Sequence, residues 1–202
     1  FDGLHDRLED AILGSRRLRS NGNVPIEVRV RCTRGRVCVV LASEEDDRRI
    51  AFGSLEAFHD VLRRGGVIGG SSAGASIQAS FLIRGDPKSK RIVVGKYTEG
   101  FGFLPQSAID QHLRARNRER DLIPVIEERP ELLGIGVDEG TAAIVQGDTL
   151  RVVGAGSVAI YDARRWKPAS EPLPTDEKYF FLKAGDRFDL RTRARLADQT
   201  AR

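Results

Sequence analysis

The sequence predicts a single α/β domain, and three observations support this prediction. The chain has 202 residues, 40% of them hydrophobic, which is enough for one substantial core. Residues 65–76 read as a buried strand that turns tightly into a helix. Two later apolar runs end in polar residues, at His112 and at Glu139. Open α/β sheets place their functional sites at such strand ends.

Composition narrows the class of protein. Its 33 basic and 29 acidic residues are interspersed and leave a net charge of only +4, which is typical of a solvated surface and not of a nucleic-acid-binding protein. No apolar run approaches the roughly 18 residues of a membrane span, and no charged-then-apolar leader opens the chain. We therefore expect a soluble, cytoplasmic protein. The chain begins at Phe1 and contains no methionine, so a cropped or processed start is left open.

The cysteines and histidines argue against a disulfide framework and a metal site. Only two cysteines are present, Cys32 and Cys38. If Arg34-Gly35 forms a two-residue hairpin turn, Cys32 lies opposite Val37, and the two sulfurs face opposite sides of the ribbon. The three histidines are scattered, and neither cysteine has ligand spacing. We expect no metal and no cofactor.

The first half of the chain predicts a helix, a hairpin and a second helix. Apolar residues recur at nearly helical spacing in residues 1–20, which indicates a short amphipathic helix. Residues 26–32 alternate between apolar and charged side chains, and residues 36–42 form a continuous apolar run. This pattern is expected for a half-exposed strand paired with a buried one. Residues 54–64 form an amphipathic helix that ends at two glycines and leads into the strand at residues 67–68.

A nucleophile-elbow motif follows that strand. Residues 70–74 read Gly-Ser-Ser-Ala-Gly and fit G-x-S-x-G, in which glycines flank a serine because the backbone is crowded there. Ser72 is then exposed at the tip, and a helix over about residues 73–81 directs free backbone N–H groups to the same point. The alternative is a glycine-rich turn that binds an anion or only closes the sheet.

Beyond the elbow, apolar runs predict a series of strands and one helix. The helix covers residues 122–129, with Pro124 near its start. A meander of three strands is expected to finish the sheet, and the tail, about 164–202, is expected to be irregular apart from one strand. The predicted strands cover residues 91–94, 107–109, 133–137, 142–146, 150–153, 157–161 and 179–183.

A serine nucleophile needs a base, and the sequence offers few candidates. Of the three histidines, only His112 follows Ser72. An acid placed between them would be Asp86 or Asp110, but Asp110 is only two residues from the histidine. The order Ser72, His112, Glu139 takes each group from the end of a separate predicted strand, and we prefer it.

These residues carry a family resemblance. Residues 66–75, the triplet Asp110-Gln111-His112 and residues 134–142 resemble the cyanophycinase branch of the S51 serine peptidases, in motifs that extend over roughly half the chain. The resemblance implies a class I glutamine-amidotransferase-like fold, a three-layer sandwich with a mostly parallel central sheet. It also implies that Ser72 is the nucleophile, His112 the general base and Glu139 the orienting acid, with the Ala73 N–H as an oxyanion donor.

The same resemblance implies a substrate and residues that bind it. Cyanophycin is a polyaspartate that bears arginine on each β-carboxyl, and the relatives cut it to β-aspartyl-arginine dipeptides. Asp110 and Gln111 match substrate-contacting residues of the family, and Arg116 and Arg118 match its carboxylate-binding arginines. The alternative interpretation of this arginine run is a solvated helix start.

The sequence departs from the family in two places. A third arginine of the family would fall at Asp121, with Arg120 one place off. Relatives also carry a Gly-Gly-x-Gln segment ahead of the elbow, which supplies an oxyanion donor, whereas residues 42–48 contain neither glycine nor glutamine. About residues 1–50 are therefore interpreted as a divergent or truncated part of the single hydrolytic domain.

The predicted function is a serine peptidase of the cyanophycinase type, which hydrolyses the β-aspartyl-arginine isopeptide polymer through an acyl-enzyme. The alternatives are an aspartyl dipeptidase of the same family and a catalytically inactive relative that binds acidic peptides. We expect a peptide or cyanophycin-like polymer as the substrate and no nucleic-acid or membrane partner. A homodimer is left open as the assembly.

Overall fold

The computed structural model of the chain describes residues 12–20, 23–33, 36–43, 52–86, 89, 91–166 and 177–197. Within them the fold is α/β with mixed sheets and consists mostly of strands. The helices are α1 (Phe52–Arg63), α2 (Ala73–Ser76) and α3 (Leu122–Glu128). The strands are β1 (Ile12–Ser20), β2 (Asn23–Thr33), β3 (Arg36–Ser43), β4 (Val67–Ser72), β5 (Ala79–Phe81), β6 (Arg84–Gly85), β7 (Ile92–Val93), β8 (Leu104–Gln111), β9 (Leu133–Val137), β10 (Thr141–Gln146), β11 (Thr149–Gly154), β12 (Ser157–Asp162), β13 (Tyr179–Lys183), β14 (Arg187–Asp189) and β15 (Ala194–Leu196).

The first sheet has the strand order β1-β2-β3-β4 and carries the elbow strand at one side. The predicted hairpin is confirmed, because β2 and β3 pair antiparallel with Cys32 opposite Val37. Strand β4 runs parallel to β3, and α1 forms the crossover between them. The strand at residues 67–68 was expected to be buried, yet Val67 is 50% exposed.

The helix predicted for residues 1–20 is wrong over residues 12–20, and the remainder of that prediction lies outside the described residues. The segment forms β1, which pairs antiparallel with β2. Strand β2 is 11 residues long, and its backbone N–H and C=O groups need partners along both sides. This demand outweighs the weak helical spacing of a few apolar residues.

The central sheet has the order β13-β12-β9-β8-β5. Strands β5, β8 and β9 run parallel to one another, and α3 connects β8 to β9. Strands β12 and β13 are antiparallel additions. The prediction of a mostly parallel sheet is therefore not confirmed, since the central sheet is mixed.

The expected meander of β10, β11 and β12 is wrong in its last step. Strands β10 and β11 form a hairpin, but β11 then pairs with β14 in a separate antiparallel sheet of order β10-β11-β14-β15. Strand β12 returns to the central sheet beside β9. The tail was expected to be irregular, yet it supplies β13, as predicted, and also β14 and β15.

The central sheet is buried on both faces, and this explains its continuous apolar strands. On one face, α3 packs its buried side chains against a cluster that includes Ala108 and Tyr161. On the other face, Ile109 and Ile135 pack with side chains of β11 and β14, among them Val152 and Phe188. At these contacts the three layers are α3, the central sheet and the sheet that contains β11 and β14.

The elbow helix is shorter than predicted. Helix α2 spans only Ala73–Ser76, and β5 begins three residues later, within the range expected to be helical. The backbone carbonyls of Ile77 and Gln78 accept hydrogen bonds from the N–H groups of Phe101 and Leu104 instead of continuing the helix. Gly100 permits this approach, because a Cβ there would lie 2.0 Å from the Ala79 carbonyl oxygen. No helix in the described part of the chain is long and apolar enough to cross a membrane.

Candidate active site

Ser72 occupies a strained position at the junction of β4 and α2. It is the last residue of β4 and the N-cap of α2, with φ of 52° and ψ of −128°. A positive φ is unfavourable for a residue with a side chain and is found where the surrounding structure enforces it, often at functional sites. Its hydroxyl makes no capping hydrogen bond to the helix, so the Oγ atom can serve another partner.

Gly70 shows why the elbow requires glycine. A Cβ at this position would lie 1.9 Å from the Gly74 carbonyl oxygen and 2.4 Å from the Gly74 carbonyl carbon. Both atoms belong to the backbone and cannot rotate away. The two flanking glycines of the motif are thus in contact, and this close approach makes the turn from β4 into α2 sharp.

His112 immediately follows β8, and its ring reaches the serine. Its Nε2 atom lies 3.3 Å from Ser72 Oγ. The backbone of His112 also has a positive φ, of 57°. The next residue, Leu113, fixes the turn, since its N–H bonds to the Val137 carbonyl and its buried side chain packs directly on Gly136.

Glu139 lies two residues beyond β9 and contacts the other ring nitrogen of the histidine. Its Oε1 atom lies 2.9 Å from His112 Nδ1. The Glu139 backbone is held by the Thr141 hydroxyl, which donates to its carbonyl oxygen and accepts from the Gly156 N–H. The Glu139 side chain is 62% exposed, whereas that of His112 is 25% exposed.

These contacts determine the tautomer that the imidazole adopts. A carboxylate can only accept hydrogen bonds, so Nδ1 carries the proton that faces Glu139. Nε2 then has a free lone pair directed at the Ser72 hydroxyl. A separation of 3.3 Å is slightly long for proton transfer, but such contacts tighten when substrate binds. The two contacts have the geometry expected of a nucleophile, a base and an orienting acid.

Ala73 is placed to offer its backbone N–H. It is the first residue of α2, and the N–H groups of a first helical turn have no partner within the helix. Because α2 has a single turn of four residues, its dipole is small, and any stabilisation of an oxyanion would come from direct N–H contact.

Asp110 and Arg118, two of the predicted substrate-binding residues, lie in the interior. Their exposed fractions are 1% and 0%, and Arg118 Nη1 donates to Asp110 Oδ1 at 3.0 Å. Burial raises the pKa of Asp110 to about 6, although the Arg118 guanidinium opposes this shift. The prediction that Arg118 and Asp110 contact substrate disagrees with this burial, because both side chains face each other and not the surface.

The other two predicted substrate-binding residues lie nearer to solvent. Gln111 is half-buried at the end of β8, next to His112. Arg116 is exposed in the turn that follows. Asp121, at the place of the family's third arginine, accepts hydrogen bonds from the Ile92 N–H and from Arg91, and so it fastens the β6–β7 hairpin to the start of α3.

Among the described residues, the alternative acids and His59 have other partners, whereas His5 lies outside the described residues. The second alternative acid, Asp86, accepts a hydrogen bond from Ser89 within the β6–β7 hairpin. His59 packs edge-on against Phe103, 5.0 Å away, and so has the ordinary role of a helix-surface histidine.

Sequence reasoning did not identify Asp138. Its Oδ1 atom accepts hydrogen bonds from the backbone N–H groups of both Arg114 and Glu139. The only signal in the sequence was its place beside the predicted acid, and that signal does not reveal which of two neighbouring carboxylates serves the histidine.

Comparison with known proteins identifies the family. Residues 51–153 match the model of peptidase family S51, which is half of the chain. The chain belongs to peptidase family S51, as the resemblance predicts.

Three cyanophycinases are among its relatives. The chain is 36% identical over 145 residues to that of Synechococcus elongatus, a match that covers 66% of this chain and 45% of the relative. It is 37% identical over 147 residues to that of Nostoc sp., covering 66% and 49%, and 33% identical over 141 residues to that of Geminocystis herdmanii, covering 64% and 52%. The matched part spans about half the length of these relatives.

Proposed function

We propose that this chain is the catalytic part of a serine peptidase of the cyanophycinase type. The observation that carries the proposal is the continuous series of contacts from Ser72 Oγ to His112 Nε2, at 3.3 Å, and from His112 Nδ1 to Glu139 Oε1, at 2.9 Å. Membership of peptidase family S51 and the similarity to cyanophycinases support it. We further propose that β5, β8 and β9 form the parallel core of a class I glutamine-amidotransferase-like sheet.

The chemistry is acyl transfer. The Ser72 hydroxyl attacks the carbonyl carbon of the scissile bond while His112 Nε2 takes its proton, and Glu139 stabilises the imidazolium that forms. The Ala73 N–H donates to the oxyanion of the tetrahedral intermediate. His112 then returns the proton to the leaving amine, and an acyl-enzyme remains on Ser72. Water activated by the same imidazole releases the acyl group.

The proposed substrate is a polymer with carboxylates and guanidinium groups, of the kind that the name cyanophycinase implies. Glu139 is exposed, and His112 keeps a quarter of its side chain in contact with solvent, so a chain-like ligand can reach the triad. Arg116 is an exposed cation four residues beyond His112 and can pair with a substrate carboxylate. Gln111 lies next to the histidine and can orient a backbone amide.

An aspartyl dipeptidase is the second candidate function, and one observation favours it. Arg118 is fully buried against Asp110, so of the two arginines predicted to bind carboxylates only Arg116 is exposed. Recognition of a long anionic polymer requires more cationic groups than recognition of a dipeptide, because each subsite repeats the same carboxylate.

Hydrolysis assays distinguish the candidates. The protein is incubated with cyanophycin and with a panel of aspartyl dipeptides, and released amines are measured. Ser72→Ala should lower the rate of turnover by at least about 10³-fold, because the nucleophile is lost. Ser71→Ala removes the neighbouring exposed hydroxyl and is the matched control; it should retain activity.

Each outcome has a distinct meaning. Release of β-aspartyl-arginine from the polymer supports the cyanophycinase type, whereas cleavage of dipeptides alone supports the dipeptidase. Salt-sensitive binding of the polymer without turnover, equal in wild type and Ser72→Ala, would reject both and support an inactive binding protein.

A further inference from the structure

Asp138 connects the turns that carry the base and the acid. Its Oδ1 atom accepts the N–H of Glu139 at 3.0 Å and the N–H of Arg114 at 3.3 Å. The first N–H belongs to the turn after β9, and the second to the turn after β8. One carboxylate oxygen therefore joins two turns, with Asp138 and Arg114 lying 24 residues apart in sequence.

This connection extends the sheet beyond its last paired residues. Strands β8 and β9 are in register up to Gln111 opposite Val137, and His112 and Asp138 are the first residues beyond the two strands. Beyond that pair, the Leu113 N–H bonds to the Val137 carbonyl at 3.3 Å. Hydrogen bonds to a carboxylate are stronger than those between neutral groups, so the Asp138 contacts reinforce a junction that few backbone hydrogen bonds hold, among them that of the Asp138 N–H to the Ser157 carbonyl.

The two neighbouring carboxylates have different environments. The Glu139 carboxylate contacts His112 Nδ1 and is 62% exposed. The Asp138 side chain is directed back onto backbone N–H groups, and its residue is half-buried. By accepting the N–H of Glu139, Asp138 orients the peptide from which the Glu139 side chain departs.

We propose that Asp138 is a positioning residue that holds the His112 turn and the Glu139 turn at the separation that the imidazole–carboxylate contact requires. It acts through His112 and Glu139 and touches neither the substrate nor the serine. The inference rests on the proposed function, because it assumes that the imidazole–carboxylate pair supports catalysis.

Three variants test this role. Asp138→Ala removes the acceptor, and Asp138→Asn retains an oxygen at the same place without the charge. Asp148→Ala is the matched control, because it removes an exposed carboxylate in the turn between β10 and β11, away from the site. The full chain is used throughout, and urea unfolding establishes that each variant is folded.

Kinetics should separate positioning from a general structural effect. Asp138→Ala should lower kcat by about 10²-fold with KM changed less than about twofold, because displacement by an ångström or less misaligns the base without altering binding. Asp138→Asn should stay within about fivefold of wild type, and Asp148→Ala should be unchanged. The inference is wrong if Asp138→Ala is as active as Asp148→Ala. It is also wrong if folded Asp138→Asn loses about 10²-fold in kcat, the loss expected of Asp138→Ala.

A second readout does not depend on turnover. In wild type, the Nδ1 proton of His112 should give a downfield NMR signal, because it is held in a hydrogen bond to Glu139 and exchanges slowly. The signal should disappear in Asp138→Ala and persist in Asp138→Asn and Asp148→Ala. Persistence in folded Asp138→Ala would overturn the inference. Inactivity of wild type with a normal signal would instead count against the proposed function.

Discussion

Substitution of Gly70 by alanine should distort the turn from β4 into α2 that carries Ser72. The added Cβ would lie 1.9 Å from the Gly74 carbonyl oxygen, whereas ordinary contacts of this kind are 3.4–4 Å. One of the two backbone segments must therefore move by about 1.5 Å. Since Ser72 lies between Gly70 and Gly74, its hydroxyl moves with them.

The expected magnitudes follow from that displacement. Overpacking of a well-packed site costs about 1–3 kcal/mol, and a contact between two backbone segments belongs at the upper end, about 3 kcal/mol. Displacement of a reacting atom by about 1 Å costs on the order of 10²-fold in rate. Gly70→Ala should thus lower both the free energy of unfolding and the rate at which a fluorophosphonate probe labels the protein.

Gly95→Ala provides the control. The three atoms nearest to a Cβ there would all belong to the Arg84 guanidinium, the nearest at 2.9 Å, and a side chain shifts more easily than a backbone segment. Urea unfolding should place this variant within about 1 kcal/mol of wild type, with an unchanged labelling rate. If Gly70→Ala matched Gly95→Ala in both measurements, the account of the elbow would be refuted.

Two further predictions concern the buried ion pair. Arg118→Met should lower the free energy of unfolding by about 3–5 kcal/mol, because it leaves the Asp110 carboxylate buried without its cation. Arg116→Met, the control, should change the free energy of unfolding by no more than about 0.5 kcal/mol. Equal effects of the two variants in urea unfolding would contradict the burial of Arg118. Burial raises the pKa of Asp110 from 3.8 to about 6, so the folded protein binds the carboxyl proton more tightly than the unfolded chain does. The contribution of Asp110 to stability should therefore be complete below about pH 4 and should fall by about 3 kcal/mol as the pH rises past 6. Urea unfolding of wild type and Asp110→Asn between pH 4 and 7 measures this difference, and a difference that does not vary with pH would count against the raised pKa.

Local signals in the sequence predicted the parts of the fold that surround Ser72, His112 and Glu139. The helical period of residues 54–64 and the glycines that stop it predict α1, and apolar runs with polar ends predict β9 and the end of β8. Each of these signals depends on neighbouring residues alone, so one chain without relatives displays them. The placement of His112 and Glu139 at adjacent strand ends then follows from the parallel arrangement of β8 and β9.

What the sequence did not predict depends on partners distant in the chain. Strands β11 and β12 have similar short apolar sequences, yet β11 pairs with β14 and β12 pairs with β9. The sequence of a short apolar strand does not determine which strand it pairs with. Helix α2 ends early because carbonyls beyond it bond to residues about 25 positions later. Arg118 lies in a run of arginines that resembles a solvated surface, and its ion pair with the buried Asp110 on β8 is not visible in that local pattern.

We propose above that Ser72 is a nucleophile activated by His112. The most direct measurement is to label the folded protein with a fluorophosphonate and to locate the adduct by peptide mass spectrometry, in wild type and in His112→Ala. We expect the adduct on Ser72, formed at least about 10³-fold more slowly in His112→Ala, because the hydroxyl then has no base. An adduct on another residue, or labelling of Ser72 at the same rate in both proteins, would contradict the claim.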